Sequence, residues 1–148
     1  MSSTDRGTVT AGQDLRLIGP DLTVPMKADL HYSRQDPYAV RMSLDAGREE
    51  PVDWFLSRDL LAAALYDREG IGDVRAWPAP ARTAAEPAGT SEKILNIELG
   101  SPDACARFEV SAAGIGAFLA RTFELVPGGE ESAFLDLDAG LAELLSQA

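Results

Sequence analysis

Cysteine and histidine are almost missing from this sequence, which contains one of each, Cys105 and His31. A lone cysteine forms no intrachain disulfide and no cysteine-based metal cluster. His31 has Asp29 and Ser33 as its only polar neighbours on the same face of a predicted strand. Side chains two residues apart on a strand project in parallel, so they do not form a chained catalytic triad. A hydrolase that uses His31 is therefore the weakest hypothesis, and no catalytic residue is predicted.

Ligand-binding motifs are also missing. Gly70 and Gly72 lack the third glycine of a dinucleotide fingerprint, because Arg75 stands in its place, and no phosphate-binding loop occurs. Asp136 and Asp138 form a carboxylate pair, but acidic residues in a first helical turn are explained by the helix dipole, and no calcium-loop pattern surrounds them. The sequence predicts no metal and no cofactor.

Basic residues are few compared with acidic ones: 13 against 24, a net charge of −11. Such a charge repels phosphate backbones and anionic lipid headgroups. No lysine or arginine follows Arg121, whereas six acidic residues do. This acidic end is interpreted first as a solvated face and second as a docking surface for a basic partner. Binding of nucleic acid or insertion into a membrane is not expected.

Long apolar runs are absent, since none approaches the roughly 18 residues that span a bilayer. Residues 1–12 are polar and small, without the basic start and apolar stretch of a secretion signal. We expect a cytoplasmic protein with a disordered N-terminal extension over residues 1–12. The 148 residues then predict a single domain over residues 13–148, large enough to bury about 70% of its unfolded surface.

Alternating apolar and polar residues dominate the first third of the chain. The alternation runs through residues 24–32 and, after a loop, through residues 38–44, with Tyr38 on the apolar side. Residues 52–56 form a third strand in which Trp54 and Phe55 point to opposite faces, and Leu15 and Leu17 indicate a shorter strand before these. This pattern predicts an antiparallel meander.

A short helix and a second meander follow. Ser57 is a helix N-cap ahead of an apolar stripe at Leu60, Leu61 and Ala64. Strands are predicted at residues 73–77, 93–99 and 104–110. Residues 78–91 are rich in alanine, proline and threonine, which predicts a mobile loop.

Two helices end the predicted fold. Ser111 caps the first, with Ile115 and Leu119 on its buried side. A second side of this helix carries only small residues: Ala112, Gly116 and Ala120. Glycine weakens a helix, so its presence needs a compensating reason, and the close approach of another element is the commonest one. This side is therefore a candidate interface, either with the same chain or with another subunit. Asp136 caps the last helix, and the order of elements predicts an α+β fold.

Three short segments lie at junctions between these elements: residues 36–40 start a strand, residues 58–61 open a helix, and residues 72–78 lead a turn into a strand. Their defining positions are Asp36, Pro37, Tyr38, Arg58, Asp59, Leu60, Gly72, Asp73, Trp77 and Pro78. Together with residues 126–130 and the leucine-rich end, these segments resemble the SsgA-like family of sporulation and cell-division proteins of filamentous actinobacteria. Several of these positions are also explained as turn formers that preserve the fold, and Trp77 as a core residue, so both interpretations stay open.

The resemblance implies a non-enzymatic factor that positions septation by protein–protein contact. In one branch of the family, the SsgB type, this means recruiting the tubulin-like protein FtsZ to septum sites. Implied partners are FtsZ or an SsgA-like paralogue, the implied assembly is a homotrimer, and the implied location is the septum. The family fold resembles the two-sheet fold of whirly-type proteins. That likeness gives the alternative function, a single-stranded nucleic-acid-binding module, which the charge of −11 opposes.

Overall fold

An antiparallel sheet of nine strands organises the part of the chain that the computed structural model describes, residues 2–5, 7–45, 49–80, 93–101 and 103–134. The strands are β1 (Ser2–Asp5), β2 (Thr8–Ile18), β3 (Thr23–Ser33), β4 (Asp36–Leu44), β5 (Val52–Ser57), β6 (Glu69–Ile71), β7 (Val74–Pro80), β8 (Lys93–Ser101) and β9 (Ala104–Ser111). The helices are α1 (Arg58–Ala64) and α2 (Ala112–Leu125), followed by a short 3-10 helix over Glu131–Phe134. Antiparallel strands with helices in separate segments confirm the α+β class.

Strand β2 joins the two predicted meanders. The strand order is β5-β4-β3-β2-β9-β8-β7-β6, and β1 pairs with β2 beside this path. Strand β2 pairs with β3 along its whole length, while on its other side residues 8–11 pair with β1 and residues 15–18 pair with β9. The two-sheet arrangement implied by the family resemblance is therefore not confirmed, because the described strands form one hydrogen-bonded sheet.

The disorder predicted for residues 1–12 is wrong for most of that segment. Residues 8–12 are the first half of β2, where Val9 and Ala11 are buried, and Ser2–Asp5 form β1. The small side chains of this segment hide a period-two pattern in which Val9, Ala11 and Leu15 face the core. The domain boundary predicted at residue 13 therefore cuts through a strand.

One face of the sheet packs against both helices and forms the core. Ser57 accepts a hydrogen bond from the Leu60 N–H (3.1 Å) and caps α1, and Ser111 does the same for the Gly114 N–H (3.1 Å) and α2. Core side chains from each part include Leu30, Met42, Leu61, Ile97, Phe108, Ile115 and Leu119. Both caps and both apolar stripes are as the sequence predicts.

The start of β4 differs from the predicted pattern. Tyr38 is 46% exposed, whereas Pro37 is buried. A register shift between Tyr32 and Ser33 explains the difference, because it breaks the strict alternation at this end of the β3–β4 pair.

Strand β6 is not predicted by the sequence pattern. Part of the turn at residues 45–47, most of the loop at 78–91 and the helix from Asp136 lie outside the described residues, and residues 78–80 belong to β7.

Candidate interaction surface

Arg58, the first residue of α1, is completely buried. Its Nη1 donates to the carbonyl oxygens of Thr122 (3.1 Å) and Val126 (2.7 Å), and its Nη2 donates to the Glu131 carboxylate (2.8 Å). The Thr122 carbonyl also accepts from the Val126 N–H (2.8 Å), whereas carbonyl groups at the very end of a helix have no intrahelical partner. The start of α1 therefore satisfies the end of α2 and holds the 3-10 helix against both.

Two aromatic rings complete the surroundings of Arg58. Its guanidinium carbon lies 4.2 Å from the ring centre of Phe123 and 5.0 Å from that of Tyr32, within cation–π range. The Tyr32 hydroxyl donates to the Pro37 carbonyl (2.8 Å). Tyr32 thus links the first motif segment to the second, and we call Arg58, Glu131, Tyr32, Phe123 and their carbonyl partners the Arg58 cluster.

The protonation states of Tyr32 and Glu131 are the ones that their hydrogen bonds require. Burial raises the pKa of Tyr32 to about 12, so its hydroxyl remains a donor. Hydrogen bonds from backbone N–H groups, first its own, and then from Arg58 lower the pKa of the Glu131 carboxyl. Glu131 is therefore a carboxylate at neutral pH and pairs with the guanidinium.

The third motif segment makes its own set of contacts. Gly72 has a φ of +60° in the β6–β7 turn, and the Asp73 carbonyl accepts from the Gly100 N–H (2.9 Å). The Arg68 guanidinium stacks on Trp77, 4.5 Å from its ring centre. Through these contacts, the segment connects β7 to Arg68, which follows α1, and to Gly100 near the end of β8.

The motif positions divide into buried and exposed residues. Pro37, Arg58 and Leu60 are buried, and Trp77 and Pro78 are partly buried. Those exposed to solvent are Asp36, Tyr38, Asp59, Gly72 and Asp73. The exposed acidic and aromatic side chains are free to meet a partner, whereas the buried group preserves the fold.

Strands β2 to β5 have a second face, opposite the helices, which we call the open face. Their register aligns Thr10, His31, Arg41 and Phe55 in one row across the four strands. Two shallow grooves of about 290 and 280 Å³ meet at His31 and Arg41. The second groove also contains Asp36, which places a motif residue on the open face.

Arg41 and Phe55 give the open face its chemical character. The Arg41 Nε is buried and has no hydrogen-bond acceptor, and Phe55 is 63% exposed beside it. Burial, and then the charge of Arg41, lowers the pKa of His31 below its ordinary value of 6.5. A cationic side chain with an unused donor next to an exposed aromatic ring suits binding, and His31 has no triad around it.

On the corresponding face of β7 to β9, and on the adjoining β2, charged side chains form partly buried cross-strand pairs. Arg75 bonds Glu98 (2.6 Å), Arg107 bonds Asn96 (2.8 Å), and Arg16 lies 3.3 Å from Glu109. The Lys27–Asp14 pair on the open face (3.1 Å) is solvent-exposed instead. Because the two grooves also lie there, the open face is the better candidate for an interaction.

The small-residue side of α2 is partly covered by the chain itself. A Cβ placed on Gly116 would lie 3.8 Å from the Leu65 Cδ1, at the end of α1. Ala112 is partly buried against the core, whereas Ala120 is exposed. Gly116 therefore has a neighbour in its own chain, and an interface with another subunit stays a prediction for Ala112, Gly116 and Ala120.

Sequence reasoning missed Arg41 and Glu131. No short-range pattern points to either residue, because each role depends on packing between distant segments. The exposure of Phe55 could be predicted from the sequence, because this aromatic residue alternates with the buried residues of β5. The prediction that Trp54 and Phe55 point to opposite faces is confirmed.

Two further findings limit the chemistry of the described residues. Within them, no group of three or more His, Cys, Asp or Glu side chains is arranged to hold a metal ion. None of the helices in the described ranges has the length and apolar character needed to cross a membrane.

Residues 26–131 match the family model described as Streptomyces sporulation and cell division protein, SsgA. The sporulation-specific cell division protein SsgB of Thermobifida fusca is 43% identical over 140 residues, which cover 94% of this chain and 96% of that protein. SsgB of Streptomyces coelicolor is 37% identical over 142 residues, covering 95% and 98%.

Solved structures agree with the sequence comparisons. The crystal structure of an SsgA-like sporulation-specific cell division protein from Thermobifida fusca superposes with a TM-score of 0.79 at 42% identity, covering 95% of this chain and 98% of that one. A structure from a study of SsgB mutations and longitudinal cell division in Streptomyces coelicolor gives 0.73 at 36% identity, covering 91% and 98%. Sequence and fold thus agree over nearly the whole chain, which belongs to the SsgA family of sporulation and cell-division proteins.

Proposed function

We propose that this chain is a non-enzymatic cell-division factor that acts in the cytoplasm at the septum and positions sporulation septa by protein–protein contact. The observation that carries the proposal is the likeness to SsgB proteins over almost the entire chain, at 37–43% identity in two cases. The open face supplies a means of contact, because it combines the exposed Phe55 with Arg41 and the motif residue Asp36.

The proposed partner is FtsZ, either directly or through an SsgA-like paralogue. The contact is made by exposed motif residues, Asp36 and Tyr38, and by the neighbouring open face. Aromatic residues and arginine are enriched where proteins bind one another. The Arg58 cluster shapes this surface from behind, through the Tyr32–Pro37 hydrogen bond.

A binding assay with purified FtsZ tests this proposal. The protein is immobilised and exposed to FtsZ from the same organism, alone and with an added SsgA-like paralogue. We expect saturable binding that Tyr38→Ala and Phe55→Ala each weaken at least tenfold. Tyr66→Ala is the matched control, because Tyr66 is 87% exposed and lies outside the motif and the open face. No binding to FtsZ under either condition would contradict the proposed partner.

An oligonucleotide shift assay separates this function from the alternative, a single-stranded nucleic-acid-binding module. Such modules combine a basic groove with stacked aromatic side chains. The open face offers Phe55 and Arg41 but also Asp29 and Asp36, in a chain of charge −11. We expect no shift, whereas micromolar, salt-sensitive binding would favour the alternative.

A further inference from the structure

Arg41, on β4, has a guanidinium that is not paired with any described carboxylate. Its Nε–H has no acceptor, and no carboxylate of the described residues lies within ion-pair distance of it. Other arginines do have such partners, since Arg58 pairs with Glu131 at 2.8 Å and Arg75 with Glu98 at 2.6 Å. A buried donor without an acceptor costs free energy, and an arriving acceptor removes that cost. The unpaired guanidinium therefore points to an anionic ligand.

The size of the grooves beside Arg41 limits what that ligand is. Arg41 lines both grooves of the open face, which measure about 290 and 280 Å³ and are shallow. Pockets that hold a cofactor or a drug-sized molecule usually measure about 300–1,000 Å³ and enclose most of it. The grooves therefore fit one side chain of a larger molecule better than they fit a free metabolite.

The neighbouring charges favour a carboxylate over a phosphate group. Asp29 lines the first groove and Asp36 lines the second. A phosphate group carries up to two negative charges, so it meets stronger repulsion from these residues than a carboxylate with one charge. A carboxylate is also planar and accepts two parallel N–H bonds from one guanidinium.

The second groove contains neutral hydrogen-bond donors as well. Ser33 and Gln35 both line it. The Ser33 Oγ accepts from the Gln35 N–H (3.1 Å), which leaves the Ser33 O–H to donate. The Gln35 side-chain amide is a second neutral donor. A carboxylate at Arg41 would therefore find further donors on this side.

We propose that Arg41 binds the carboxylate of an aspartate or glutamate side chain that a protein partner places in the second groove. This inference rests on the proposed function and deepens it, because it names the chemical group that the open face receives from its partner.

His31 provides a reporter for this site. It is the only histidine of the chain and the cross-strand neighbour of Arg41. Burial, and then the charge of Arg41, lowers the pKa of His31. A carboxylate bound to Arg41 offsets that charge, so the pKa of His31 should rise toward its ordinary value. Asp29 and Asp36, the other charged residues of the two grooves, are present with and without the ligand.

An NMR titration of the His31 imidazole signals tests the proposal on the full chain. The probe is the blocked peptide N-acetyl-Gly-Glu-Gly-amide, and its uncharged control has glutamine in place of glutamate. At constant ionic strength, we expect the glutamate peptide to shift the signals saturably in the millimolar range and to raise the pKa of His31. The glutamine peptide should do neither. Equal responses to both peptides, or no response to either, would overturn the proposal.

Two charge-matched variants locate the site. Arg41→Gln and Lys27→Gln each remove one positive charge from the open face, but Lys27 already pairs with Asp14 (3.1 Å). Arg41→Gln should weaken binding of the glutamate peptide at least tenfold, and Lys27→Gln less than twofold. A folded Arg41→Gln protein that bound like wild type would overturn the proposal, and so would equal weakening in both variants.

Arg41→Lys is the second variant if thermal melts show that Arg41→Gln does not fold. Lysine keeps the charge but lacks the planar pair of N–H groups, so it should weaken binding at least threefold. Unchanged affinity would overturn the pairing of guanidinium with carboxylate. Inorganic phosphate is titrated in the same way, and phosphate that bound as tightly as the glutamate peptide would overturn the choice of a carboxylate.

FtsZ is absent from these titrations. A chain that bound the glutamate peptide but not FtsZ would lose its proposed partner and keep the carboxylate site. A chain that bound FtsZ but not the peptide would keep the proposed function and lose the site.

Discussion

Removal of Arg58 would leave several buried groups without one of their partners. Its guanidinium serves two carbonyls at the end of α2, the Glu131 carboxylate and two aromatic rings. The sequence predicts only its position in the first turn of a helix. Its partners could not be predicted, because Glu131 is 73 residues further along the chain and no local pattern connects them.

Arg58→Met should reduce the free energy of unfolding by about 3–5 kcal/mol. The cause is a buried carboxylate left without its counter-charge, which costs more than the packing that methionine restores. Lys93→Met is the matched control at an exposed position and should change stability by no more than about 0.5 kcal/mol. Urea unfolding of the three proteins measures both differences. An Arg58→Met protein as stable as wild type would show that the cluster is dispensable.

The pH dependence of the Glu131 contribution follows from its lowered pKa. A carboxyl whose folded pKa is depressed contributes stability above its unfolded pKa, near 4.5, and loses that contribution as pH falls through the folded value. The stability gap between wild type and Glu131→Gln should therefore be full near pH 7 and shrink as pH falls below about 4.5. Denaturant titrations at several pH values measure it. A gap that did not change with pH would contradict the ion pair.

Among the elements, α2 shows how small residues permit close packing. The Cβ of Gly116→Ala would meet Leu65 at an ordinary contact distance of 3.8 Å. Alanine should therefore stabilise the protein by about 0.5–1 kcal/mol through its better helix propensity. Gly116→Leu must fit further atoms against Leu65, and overfilling should cost about 1–3 kcal/mol. Thermal melts should rank alanine, wild type and leucine in that order. A leucine variant that melted at or above wild type would show an uncrowded face.

The β8–β9 turn depends on glycine for a different reason. Gly100 has a φ of +118°, and a Cβ there would overlap the Ala104 carbonyl oxygen. Gly72 also has positive φ, at +60°, but nothing lies within 4 Å of its would-be Cβ. Gly100→Ala should therefore destabilise the protein by about 2 kcal/mol more than Gly72→Ala, since strain and collision add. Equal losses in a denaturant series would argue against the collision.

The sequence predicts an element where the pattern that specifies it lies within the element itself. It fails where the element depends on contacts with distant segments. Residues 24–32 alternate cleanly and predict β3, and the serine caps at Ser57 and Ser111 mark both helix starts. The first half of β2 was missed because Val9 and Ala11 are small and sit among threonine and glycine. Strand β6 was missed because three residues including Gly70 carry no period. The role of Arg41 depends on which strands pair beside it, which one chain segment does not encode.

For the whole molecule, the proposed assembly is a homotrimer, as the family resemblance implies. Light scattering should then give a mass near three times 15.8 kDa. A mass near 15.8 kDa across a wide concentration range would rule the trimer out.

The separation between Arg58 and Glu131 also sets an order of events during synthesis. A ribosome adds about 5–20 residues per second, so the guanidinium is made roughly 4–15 s before the carboxylate that neutralises it. Until then, α1 begins with a cation that has no buried counter-charge, and the end of α2 that it caps does not yet exist. The ion pair therefore forms only after residue 131 has left the ribosome, and nascent chains that stop before it lack the pair that holds α1, α2 and the 3-10 helix together.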